Sequence, residues 1–259
     1  MEFITTEIEE NILWIGFNRP DTSNAFHSQM LLEFSEALTQ LEENPKLSIG
    51  IVFAHGKHFT VGLQLDEVSE WIQQQGGIKF GENKIDPFSM NGRKRTKPVV
   101  TAIHGFCFTL GIEFALNTEI RICTKSTRFA QMEVQRGIAP FGGASFRMVE
   151  QFGYGNAMKL LLTGEPFSGE EALRVGLVQE IVEQKELLNR ARTLAKTVAA
   201  NAPLGIKACI TNARTYLEKG ETPAAKEIVQ LAIQLMETND AKEGVNSFHE
   251  KRKASFTGT

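Results

Sequence analysis

Apolar residues along this chain recur at two different spacings, and the spacing changes from segment to segment. Phe3–Glu9 and Ile12–Asn18 are short apolar-rich runs meeting at Glu9-Glu10-Asn11, which predicts two strands joined by a tight turn. Met30, Leu31, Phe34, Leu38 and Leu41 then fall on one helical face, which predicts a helix from about Ser28 that stops at Asn44-Pro45. Ile49–Ala54, Val99–Ile103, Glu119–Cys123 and Leu177–Val182 are apolar runs of strand length. A helix carrying Glu113 separates the second and third of these. Further helices are predicted over Gly142–Phe152, Gly155–Leu162 and Gly169–Val175. For the last, Ser168 is the N-cap, and Glu171 three residues on completes a capping box. Residues 71–97 are the least regular: Gln73-Gln74-Gln75-Gly76-Gly77 and Gly92-Arg93-Lys94-Arg95 read as loops around a short helix, an insertion over a site. From Gln184 onward the pattern is helical, broken at Ala202-Pro203 and Gly220–Pro223. The expected organisation is an α/β region over 1–183 carrying the active site and a helical region over 184–259. No repeat of fixed period is present.

Composition narrows this picture. A chain of 259 residues suits one large domain, or a domain with a helical appendage, burying roughly 70–75% of its unfolded surface. It therefore needs no disulfide or structural metal. With 42% hydrophobic and 23% charged residues it is an ordinary globular chain. A net charge of −3 gives no basic field for nucleic acid. Cys107, Cys123 and Cys209 are scattered, without zinc-like spacing, and read as reduced cysteines of a cytoplasmic protein. The N-terminus lacks the basic and apolar stretches of a secretory leader, and no apolar run is long enough to predict a membrane-spanning helix.

The candidate chemistry lies in two glutamates twenty residues apart, each in an apolar segment marked by glycine: Leu110-Gly111-Ile112-Glu113-Phe114-Ala115-Leu116 and Phe129-Ala130-Gln131-Met132-Glu133-Val134. A carboxylate among apolar neighbours is costly to ionise when buried, and two converging on one pocket can act as acid and base near neutral pH. The plainer alternatives are an exposed or salt-bridged Glu113 and a surface pair of Glu133 with Arg136. His58 and His104 read as hydrogen-bonded structural residues rather than proton shuttles, and Cys107 as a small core residue. Arg93-Lys94-Arg95 and Lys97 read as a solvated face. Gly62, Gly111 and Gly137 suit turns or close packing.

Five stretches taken together resemble the crotonase (enoyl-CoA hydratase/isomerase) superfamily. They are Asn18-Arg19-Pro20 with Asn24-Ala25-Phe26, Phe59-Thr60-Val61-Gly62-Leu63, the two glutamate segments, Leu162-Thr163-Gly164 through Gly176-Leu177-Val178, and Glu250-Lys251-Arg252-Lys253. The resemblance implies a crotonase-like spiral of β-β-α turns with a C-terminal helical trimerisation region, in a homotrimer or a hexamer built as a dimer of trimers. It implies an acyl-CoA thioester substrate, with coenzyme A part of the substrate rather than a cofactor, and no metal. The backbone N–H groups of Leu63 and Leu110 would form the oxyanion hole. Glu113 and Glu133 would hold one water and share the acid and base roles. Asn24, Ala25, Phe26, Gly62, Gln64, Gly111, Pro140 and Phe141 would contact substrate or CoA, as could the basic stretch at Arg93–Lys97, and Phe248 and Lys251 a neighbouring subunit's CoA. The chain departs from the family pattern at Gln64, where aspartate is frequent, at Thr109-Leu110-Gly111, where the glycine run is reduced, and at Phe141, where many members have glycine. Dienoyl-CoA isomerases carry aspartate at the Phe141 position, which disfavours that activity. The implied function is enoyl-CoA hydratase, the alternatives being a 3,2-enoyl-CoA isomerase or related lyase, and a non-catalytic CoA-ester-binding or oligomeric partner protein.

Overall fold

The computed structural model describes residues 1–259. Its central sheet grows from the apolar runs. β1 (Ile4–Glu9) and β2 (Ile12–Phe17) form an antiparallel hairpin, and β3 (Ile49–Ala54), β4 (Val99–Ile103), β6 (Ile120–Thr124) and β9 (Glu180–Val182) add in parallel. A second sheet contains β5 (Phe106–Phe108), β7 (Arg128–Ala130) and β8 (Phe167–Ser168). The chain passes from β4 to β5 through Gly105 at φ +60°, where a Cβ would overlap the Lys57 carbonyl, so glycine is required at this corner. The turns through β4–β5 and β6–β7 thus run strand, corner, strand and then helix or helical turn.

Between the sheets and α1 (Ser28–Glu43) lies the main core. Phe17 meets Phe26, Phe34 and Phe59 with ring centroids 4.9–5.1 Å apart, and all four rings are fully buried. Burying a side chain of this size stabilises the fold by about 2–3 kcal/mol. The opposite face of the central sheet is covered by α7 (Leu187–Ala199) through Leu187, Ala191 and Ala195. The last three helices, α8 (Pro203–Lys219), α9 (Glu221–Met236) and α10 (Asn239–His249), bury little of their own apolar surface. Ile233 and Met236 remain 57% and 74% exposed.

Several expected boundaries shift for physical reasons. α2 spans Leu65–Gln75 and ends at the left-handed Gly76, so the three glutamines are helical rather than looped. The helix expected over Gly142–Phe152, α4, begins at Ala144. α5 (Tyr154–Thr163) follows it. The Ser168-capped α6 (Gly169–Val175) has half a capping box: Ser168 Oγ accepts from the Glu171 N–H at 3.2 Å, but the Glu171 carboxylate turns to Arg174. Residues 76–97 do not lie over the glutamates. Ile85 bonds to Ser35 and Thr39 of α1, Thr96 to Glu42, and Asn117 to Pro87. The basic residues there are a solvated face only in part: Arg93 and Lys94 are exposed, whereas Arg95 and Lys97 are not. Arg95 is buried against Glu119, Arg93 pairs with Glu43, Lys94 with Glu218, and Lys97 Nζ binds the carbonyls of Leu41 and Asn44 at the end of α1. Such contacts satisfy the carbonyls that a helix C-terminus leaves open.

Candidate active site

Glu113 sits in the first turn of α3 (Leu110–Ala115), a helix buried throughout its length. Glu133 opens a 3-10 turn, Glu133–Arg136, just after β7. β5 and β7 are paired in parallel, and the Thr109 N–H donates to the Ala130 carbonyl at 2.8 Å, so the two segments leave the same sheet edge side by side. The side chains meet at a cavity of about 210 Å³ walled by Val61, Leu63, Leu65, Met132, Ile138 and Phe141. A larger groove of about 1030 Å³ beside α8 contains neither glutamate.

Both carboxyls are held well above their ordinary range. Burial pushes Glu113 up to about 7, and the neighbouring Glu133 charge adds to the rise. Two N–H groups oppose it: those of Gly142 and Ala144 donate to Glu113 Oε1 at 2.8 and 3.0 Å. Burial likewise pushes Glu133 up to about 7. Its Oε1 accepts only from the Gln131 amide, at 3.2 Å, and its Oε2 has no partner. Buried polar atoms are nearly always satisfied, so an orphan carboxyl oxygen marks a place where a proton or a ligand belongs. Glu133 does not pair with Arg136, and Glu113 is neither exposed nor salt-bridged.

The backbone beside the glutamates presents free donors. Phe26 pairs with the Leu63 stretch: its N–H reaches the Gly62 carbonyl at 2.7 Å and its carbonyl accepts from Gln64 at 2.8 Å. Leu63 N–H, between these bonds, has no partner, nor does Leu110 N–H at the start of α3. Helix starts leave such N–H groups open and favour negative charge there. Gly62, at φ +93°, packs directly on Thr109 Oγ1, and Gly111 on Thr60 and Cys107, with no room for a Cβ at either.

The remaining expected contact residues fall into two sets. Phe141 lines the cavity and is 37% exposed. Asn24, Ala25, Phe26, Gln64 and Pro140 do not line it. Asn24 is fully buried, accepting from Arg19 N–H and donating to the carbonyls of His55 and His58. Phe26 is a core ring, and Gln64 accepts from Arg19 at 2.7 Å. Asn24, Phe26 and Gln64 shape the loop that presents Leu63 and do not themselves meet the cavity. Phe248, 80% exposed, and Lys251 lie at the far end of α10, away from the cavity of their own chain. His58 accepts from Phe106 N–H, and His104 bonds to the Gly56 carbonyl. Sequence reasoning missed Gly142 and Ala144, whose contribution is backbone N–H. The Gly142-Gly143 pair ahead of a helix was the available signal, because such turns bind carboxylates. A Cβ on Gly142 would come within 2.7 Å of Glu113 Oε2.

The enoyl-CoA hydratase/isomerase family signature matches residues 7–259. Enoyl-CoA hydratase EchA19 of Mycobacterium tuberculosis is 31% identical over 249 residues, covering 94% of this chain and 92% of the relative. The short-chain-enoyl-CoA hydratase of Clostridium acetobutylicum is 31% identical over 258 residues, covering 96% and 95%. A probable enoyl-CoA hydratase/isomerase from Mycobacterium abscessus superposes with a TM-score of 0.95 at 39% identity, covering 100% of this chain and 99% of that one. With a crotonase fold along its whole length and two buried glutamates on one cavity, this chain belongs to the enoyl-CoA hydratase/isomerase family.

Proposed function

We propose that this enzyme adds water across the 2,3 double bond of an enoyl-CoA thioester. The observation that carries the reading is the pairing of two carboxyls, each poised at about 7, with two unpartnered backbone N–H groups beside one small apolar cavity. As hydroxide character attacks C3, the electron pair of the double bond moves through C2 to the thioester oxygen. Leu63 and Leu110 N–H receive that developing charge, and each such donor stabilises a transition state by roughly 3–4 kcal/mol. Glu113, whose charged form is favoured by two N–H donors, takes the water proton. Glu133, whose charge has weaker hydrogen-bond support, with the Gln131 amide at 3.2 Å, delivers a proton to C2. The product is a 3-hydroxyacyl-CoA, and no cofactor beyond the substrate's own coenzyme A enters the balance.

A 3,2-enoyl-CoA isomerase would use the same N–H pair with Glu133 alone. The engagement of Glu113 by Gly142 and Ala144, which orients a second carboxylate, favours hydration. Loss of the enone absorbance of crotonyl-CoA tests the proposal: hydration consumes it, isomerisation forms it from a 3-enoyl ester, and a binding protein does neither.

The proposal extends to a homotrimer or hexamer acting in the cytoplasm. Exposed Ile228, Val229, Ile233 and Met236 on α9 need a cover, and the three cysteines are free, as a reducing compartment leaves them. In such an assembly Phe248 and Lys251 would reach a neighbour's CoA.

A further inference from the structure

Thr109 holds a backbone conformation that threonine avoids. Its φ of 49° and ψ of −114° lie in a region open to glycine and strained for a β-branched side chain. Strained backbone of this kind persists where the surrounding structure enforces it, and it gathers at functional sites. Three contacts enforce it here. The Thr109 N–H is tied to the Ala130 carbonyl, and its own carbonyl accepts from Ile112 and Glu113, fixing the start of α3.

The strain places a hydroxyl in the site. Thr109 lines the cavity that holds both glutamates. Its Oγ1 has no protein partner, yet it is not sealed away from solvent as the orphan atoms of Gln131 and Glu133 are. It rests against Gly62, in the space where a side chain at that position would project. Gly62 precedes Leu63, and Thr109 precedes Leu110. The free hydroxyl therefore lies where the two residues that directly precede those with free N–H groups touch.

We infer that the Thr109 hydroxyl is a third hydrogen-bond donor to the thioester oxygen, beside the N–H groups of Leu63 and Leu110. The inference rests on the enoyl-CoA reading of the cavity. A hydroxyl can donate to an oxyanion and needs no net charge to do so. It also explains why a strained threonine is present where glycine would fit the backbone better.

The test uses the full chain with Thr109→Ser, Thr109→Val and Thr109→Gly. Three quantities are measured: kcat/KM for crotonyl-CoA, the enolate absorbance of bound acetoacetyl-CoA, and Tm. Thr109→Ser keeps the hydroxyl and should stay within about threefold of the parent. Thr109→Val and Thr109→Gly should lose at least about tenfold in kcat/KM, up to the roughly hundredfold that removing one donor of an oxyanion hole costs. Both should also lower the enolate fraction of acetoacetyl-CoA. Thr109→Gly should melt higher than the parent while being slower, a combination that a merely structural threonine would not give. Parent-like rates and enolate absorbance in Thr109→Val would overturn the inference, as would a Thr109→Ser variant as slow as Thr109→Val. A parent protein that ionises acetoacetyl-CoA but never hydrates crotonyl-CoA would sink the hydratase reading and leave the third donor standing. A parent that does neither would sink both.

Discussion

Replacing Glu113 by Gln separates the charge of this side chain from its shape. The residue is 1% exposed. Glutamine keeps an oxygen for the Gly142 and Ala144 N–H groups, so the chief loss is the ionisable proton. Burial raises the folded carboxyl from 4.5 to about 7, and the folded protein therefore binds this proton more tightly than the unfolded chain. The group adds no cost below about 4.5. Ionising it in the fold costs about 3 kcal/mol above pH 7, at 1.36 kcal/mol per pKa unit. Through this group, wild-type stability falls as pH rises across that window. Between pH 5 and 8.5 the Gln variant should gain about 2–3 kcal/mol on the wild type, which in a chain of this size is roughly 5–10 °C of Tm. The assay is a thermal melt followed by circular dichroism at the two pH values and constant ionic strength, beside crotonyl-CoA hydration. Hydration kcat should drop at least roughly a hundredfold at both, while the Tm advantage of the variant opens with pH. A Tm difference that stays constant, or closes as pH rises, would refute the reasoning, because Glu113 would then ionise in the fold without penalty.

Glu133→Gln should also cost hydration at least roughly a hundredfold in kcat while leaving CoA-ester binding intact, as measured by calorimetry; loss of binding instead would count against a chemical role. Gly142→Ala puts a methyl 2.9 Å from the Glu113 carboxyl carbon and from Leu110 Cδ1, so kcat should fall about tenfold or more with little change in fold by circular dichroism. Ile233→Glu with Met236→Glu should shift light-scattering mass from trimer or hexamer toward monomer; a wild type that is monomeric at micromolar concentration would contradict the assembly proposal. Phe141→Gly should raise kcat/KM for longer enoyl-CoAs by about tenfold, roughly 1.4 kcal/mol. Because Phe141 is 37% exposed on the cavity wall, the loss of stability should stay well below the roughly 3–5 kcal/mol of a core phenylalanine; an unchanged chain-length profile would remove it from the acyl pocket.

The central sheet was readable because β2, β3, β4 and β6 are buried on both faces and spell nearly continuous apolar runs. The second sheet was not, since β5, β7 and β8 are three, three and two residues long, too short for any period to register. α2 escaped for a different reason. Of its eleven residues only Val68 is buried, and Leu65, Trp71 and Ile72, which share its apolar face, are half-buried among polar residues, so the face is short and weakly marked. Within the basic run at Arg93–Lys97, Arg93 and Lys94 are exposed as expected, but the burial of Arg95 and half-burial of Lys97 were not legible, because charge in a sequence says nothing of its partners. Those partners are Glu119 for Arg95 and the carbonyls of Leu41 and Asn44 for Lys97, all distant in sequence.

The site divides along the same line. Glu113 and Glu133 were visible as carboxylates in apolar company, and that company is what burial later turns into raised pKa values. Asn24 and Phe26 carry family motif letters yet serve one step back: Asn24 fixes the loop before Thr60, and Phe26 pairs on either side of Leu63, leaving that one N–H unbonded. Donors of this kind belong to the backbone, so any residue type can supply them, and leucine at positions 63 and 110 forbids nothing. What the backbone does demand is space, and it is recorded indirectly by the glycines. Gly62 yields to Thr109, Gly111 to Thr60, and Gly142 to the Glu113 carboxylate. Thr109 is the exception, a side chain kept where the backbone asks for none, and that conflict between local preference and fold directs attention to its hydroxyl.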